Sequence, residues 1–134
     1  MRFAGFVAFI LFLPLLGSAQ KSYTYITHSL EPFPGPQAYR AVKSGTTLYV
    51  ESDGRHVAAI SSDGKLLWNR DPFADAHLEF YRTKIPQIIY IGPIMKWEKK
   101  EGLDSEKFVQ IVFTSSQFGV LQISDGTFQF RGQD

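Results

Sequence analysis

The 134-residue chain contains no cysteine. That absence excludes disulfide frameworks, cysteine-ligated metal centres and thiol catalysis, and it leaves burial as the source of stability. An excess of charge is missing as well: 14 Lys and Arg stand against 13 Asp and Glu, a formal net charge of +1. Nucleic-acid binding leans on a cationic surface that neutralises phosphates, and neither the balance nor its distribution supplies one. Lys96, Lys99 and Lys100 do cluster, but Glu98 and Glu101 are interleaved with them, so the segment reads as a solvated face. There is no glycine-rich phosphate loop, no G-x-S-x-G elbow and no H-E-x-x-H pair.

What is present begins with Arg2, an apolar run over residues 3–16 interrupted by Pro14, and then Gly17-Ser18-Ala19. That order matches a secretory signal peptide: a basic start, an apolar centre and small residues ahead of the cut. A spanning helix needs about 20 apolar residues, so the run predicts export with cleavage after Ala19 rather than a retained membrane anchor. Cleavage removes Arg2 and no acid, leaving 13 basic and 13 acidic side chains on a product with no membrane span. The expected location is periplasmic or secreted.

Residues 20–36 form an arm. Tyr23-Thr24-Tyr25-Ile26-Thr27 has the composition of an edge strand, and three prolines with Gly35 over residues 32–36 make a rigid connection through which no ladder can run. Residues 37–134 are expected to form one β domain of two units, 37–70 and 86–133. In the first, β-rich runs at 38–43, 46–52, 55–61 and 65–69 are separated by Ser44-Gly45, Asp53-Gly54 and Asp63-Gly64. Asp-Gly between such runs is a strong hairpin signal, here predicting type I′ turns. Asp71 as N-cap and Pro72 at the first helical position predict one or two helical turns. The second unit has runs at 87–91, 108–114, 118–123 and 127–131, with a charged surface excursion over 96–107 carrying a helical turn at its end. Superposing Ile60 on Ile123 also matches Ser52 with Ser115 and Val57 with Val120. After a one-residue gap, Ser62-Asp63-Gly64 matches Ser124-Asp125-Gly126, which suggests a duplication.

On Ser52-Asp53-Gly54, Ala59, Asp63-Gly64-Lys65 and Trp68, residues 47–68 resemble one blade of the pyrroloquinoline-quinone-type β-propeller repeat. Residues 111–130 look like a decayed second copy, with Gln117 in place of the first turn glycine and Phe130 in place of the tryptophan. A propeller needs 4–8 blades to close its ring, and this chain supplies two at most. The expected fold class is therefore all-β: two blade-like antiparallel four-stranded meanders packed as a sandwich or small barrel, with short helical turns in the loops. No cofactor is expected, because a ring axis to hold one is absent.

Chemistry is weakly signalled. Asp71, Asp75 and His77, with His28 or His56 arriving from elsewhere, could supply metal ligands, but they read more plainly as an N-cap, a first-turn acid and a surface histidine, so no metal ligand is assigned. A secreted or periplasmic hydrolase using His56 or His77 with nearby carboxylates is the competing class, and no nucleophile is recognisable for it. Aromatics are in real excess, with 12 Phe, 6 Tyr and 2 Trp. Trp68, Phe113, Phe128 and Phe130 fall on expected strand faces and read as core. Tyr23, Tyr25, Phe33 and Trp97 fall in terminal or loop segments and are the candidate contact residues of a non-catalytic binding or interaction module. Its partner is expected to be another envelope or extracellular protein or a saccharide. A third possibility is a subunit that closes a β-propeller with other copies of itself.

Overall fold

The computed structural model describes residues 37–134. The expected signal segment, the arm with Tyr23, Tyr25 and Phe33, and His28 lie outside the described residues. The rest is built from two antiparallel four-stranded sheets, each in sequential order. The first contains β1 (Ala38–Arg40), β2 (Thr47–Val50), β3 (Val57–Ile60) and β4 (Leu66–Arg70). A helical turn, α1 (Pro72–Asp75), leads to the second: β5 (Ile88–Gly92), then α2 (Lys96–Lys99), β6 (Phe108–Phe113), β7 (Gln117–Gln122) and β8 (Phe128–Gln133). The expected all-β pair of meanders is what forms, as a sandwich of two separate sheets with no closed barrel.

Local chemistry accounts for the hairpins. Gly45, Gly54, Gly64 and Gly126 each hold a positive φ between 70° and 86° in a connecting loop, a region that costs other residues about 1–2 kcal/mol. The loops are longer than two-residue type I′ turns: Glu51 N–H donates to His56 O, Ser61 to Lys65 O and Gln122 to Thr127 O. A left-handed glycine closing a three- or four-residue loop does the same work with one positive φ instead of two. Between β6 and β7 the left-handed residue is Ser116 (φ 64°), not the expected Gln117, which is buried as the first residue of β7. At α1, Ala74 N–H donates to Asp71 Oδ1 at 3.0 Å, as the Asp-Pro pair predicts.

The two sheets meet over a single core. Leu48, Val57 and Ala59 from the first sheet join Ile88, Val109, Ile111, Phe113, Leu121 and Phe128 from the second, with Phe73 of α1 closing the side. Full burial of each of these side chains other than Ala59 is worth about 1.5–3 kcal/mol. The Phe113 ring is met edge-on by Phe73 at 5.4 Å and by Phe128 at 5.8 Å. Trp68 ties the halves together: its Nε1–H donates to Ile123 O at 2.8 Å, and a Cβ on Gly126 would come within 2.7 Å of its ring. The proposed superposition does not preserve sheet faces, since Val57 lies in the core whereas Val120, next to core residue Leu121, points away from it. Phe130 departs from expectation too. It sits on β8, an edge strand with no further strand to cover it, and is 43% exposed.

Candidate functional site

The strand alternation that sends Val109, Ile111, Phe113 and Leu121 inward turns Gln110, Val112, Phe118 and Val120 to the outer face of the second sheet. The excursion between β5 and β6 folds across that face. Trp97 of α2 stands edge-on over Phe118, with centroids 5.3 Å apart and planes at 80°. The residue remains 45% exposed. Beside it opens a cleft of about 400 Å³ lined by Met95, Trp97, Val112, Ser116, Phe118 and Asp134. The floor is apolar, and polar groups sit at one end, where Ser116 Oγ donates to Asp134 O at 2.9 Å.

The neighbour of Trp97 fixes that arrangement. Glu98, expected on a solvated face, is completely buried. Its carboxylate accepts Arg131 Nε–H at 3.1 and 3.2 Å and Nη2 at 3.0 Å, while Glu101 pairs with the same Nη2 from the solvent side. Burying a carboxylate is costly unless it is paired and hydrogen-bonded, so Glu98 can lie under α2 only because Arg131 of β8 reaches it. Sequence spacing carried no signal for this pair, since 33 residues separate the partners and lysines flank Glu98. Gln110, also fully buried, donates through Nε2 to Gly119 O at 3.1 Å.

A second cluster occupies the β2–β3 turn. Arg55 and His56 N–H both donate to Asp53 Oδ1, at 2.9 and 3.0 Å, and Asp53 Oδ2 lies 2.5 Å from His56 Nδ1. Those backbone donors hold the Asp53 carboxyl down to about 2, and the hydrogen bond that Asp53 accepts from the imidazole in turn raises the His56 pKa. Glu51 accepts Asn69 Nδ2–H at 2.7 Å. The sequence-level metal candidates part company here. Asp71 caps α1 and pairs with Arg55 at 2.7 Å, Asp75 faces Arg70 at 3.6 Å, and His56 joins Asp53 and Glu51 instead of Asp71. No serine or threonine hydroxyl bonds to a His56 or His77 ring nitrogen among the described residues.

Among the described residues no helix is long and apolar enough to cross a membrane. Compared with family models, curated proteins and solved structures, the chain matches none.

Proposed function

We propose that this protein is exported and works as a non-catalytic binding module, with the Trp97 cleft as its contact surface and the aromatic arm of Tyr23, Tyr25 and Phe33 as a second contact. One observation carries the reading: Trp97 is half exposed yet held by Phe118 and by the Glu98–Arg131 pair beneath it. An aromatic anchor fixed before its partner arrives loses little side-chain freedom on binding, which is how a few residues come to dominate an interface. The partner is an envelope or extracellular protein that inserts an apolar side chain between Trp97, Met95 and Val112. A saccharide stacking on the exposed indole face is the other outcome to look for.

The test is binding of the purified protein to extracellular-protein peptide arrays and to glycan arrays, with Trp97→Ala in parallel. Loss of the bound ligand in Trp97→Ala, with an unchanged melting temperature, supports the cleft. Binding that survives the substitution removes it. Sequencing the N-terminus of protein recovered from the medium or envelope checks export, and a first residue of Gln20 is expected.

A second reading, assembly of copies into a β-propeller, is favoured by an asymmetry between matching turns. Trp68 of the first unit sits on Gly126 of the second, while the space around Gly64 is empty and Phe130, aligned with Trp68, is exposed. A discrete oligomer of three or four copies by light scattering supports it, and a monomer at all concentrations excludes it.

A further inference from the structure

We propose that the β2–β3 turn binds one divalent transition-metal ion, with zinc(II) the best match, through Glu51, Asp53 and His56. One donor atom from each residue lies within 4.8 Å of the others. Bonds of about 2.0–2.2 Å to a single ion place its donors roughly 3–4 Å apart, so small side-chain rotations close the set. Two carboxylates and a neutral imidazole carry two negative charges, which balances a divalent ion. The imidazole selects against calcium and magnesium, which take oxygen ligands.

Groups outside the set aim its donors. The two amides on Asp53 Oδ1 leave Oδ2 directed at His56, and Asn69 of β4 holds one oxygen of Glu51 while the other remains available. Such outer contacts orient ligands in metal sites, and their loss typically costs 10–100-fold in affinity. The loop itself is pinned at both ends and from behind. Glu51 N–H donates to His56 O at 2.9 Å, Gly54 N–H to Glu51 O at 2.9 Å, and Ile88 N–H of the second sheet to Gly54 O at 2.7 Å. Arg55, the cation nearest in sequence, is turned away and neutralised by Asp71. Three protein ligands leave at least one position for water or an incoming donor.

The site is independent of the Trp97 cleft, so its failure leaves that reading intact. The experiment titrates metal-stripped protein with zinc(II) by calorimetry and with cobalt(II) by visible absorption, alongside Asp53→Asn, His56→Ala and His77→Ala. One equivalent is expected, with micromolar affinity and cobalt bands of a nitrogen- and oxygen-ligated ion. Asp53→Asn and His56→Ala should each weaken binding at least ~10-fold, with His77→Ala matching the parent. Nitrogen-15 shifts of the histidine rings in the unsubstituted protein must move at His56, which guards against misfolding of a variant. Absence of stoichiometric binding, or binding that persists in His56→Ala, overturns the proposal.

Discussion

The two sheets share strand number, order and direction, yet their outer faces differ. In the first, Tyr49 (37%) and Asn69 of the outward row are exposed on either side of a small, buried Ala58. In the second, the corresponding outward residues Gln110 and Val120 are fully buried, because the excursion carrying α2 lies across them. Identical meanders therefore acquire different roles from what is inserted between their strands. The first sheet gathers Glu51, Asp53 and His56 in its β2–β3 loop, and the second makes a roofed face with a tryptophan at its margin.

The largest effect should come from removing the roof's anchor. Arg131→Ala leaves the buried Glu98 carboxylate unpaired, and breaking such a pair costs about 3–5 kcal/mol. Arg70→Ala in the first sheet loses an exposed ion pair to Asp75, worth at most about 1 kcal/mol. Urea unfolding curves of the two variants read the contrast directly. Equal midpoints would mean that the excursion holds to the sheet without Glu98.

A smaller difference is expected between the matching turn glycines. Gly64→Ala meets no atom, so its cost is the positive φ alone, about 1–2 kcal/mol. Gly126→Ala adds a collision with the Trp68 ring and the Arg70 side chain and should be clearly worse. Near-equal thermal shifts would show that Trp68 moves aside freely.

The smallest effect concerns pH. The Thr127 amide donates to Asp125 and lowers its pKa from the ordinary 3.8. A depressed carboxyl contributes stability that is fully present above that ordinary value and is lost as pH falls through the lower folded value, because the unfolded chain then binds more protons. Asp125→Asn should remove that contribution, lowering stability modestly at neutral pH and flattening the profile on the acid side of 3.8. A profile as steep as the parent's would assign the acid sensitivity to other carboxyls.

Local chemistry was legible before folding. Asp53-Gly54, Asp63-Gly64 and Asp125-Gly126 marked three of the connections, and Asp71-Pro72 marked α1, because each acts within a few residues of itself. The turn type was misjudged, since a dipeptide does not reveal how many residues the closing hydrogen bond spans. The Glu51–His56 pairing left a readable trace, as the two residues bracket one hairpin loop. Asn69, which steadies Glu51, lies on another strand and did not. Phe130 illustrates the opposite failure: alternation identified its strand, but only the position of β8 at the sheet edge exposed its ring.

Composition and turn residues by themselves determined an all-β chain of short hairpins, because strand period and left-handed loop closures are properties of adjacent residues. Tertiary structure decided that the sheets close on one core, that Glu98 is buried and that Trp97 is presented. Each of those depends on partners brought together by packing, such as Arg131 for Glu98 and Phe118 for Trp97, and no local pattern encodes which distant side chain will arrive.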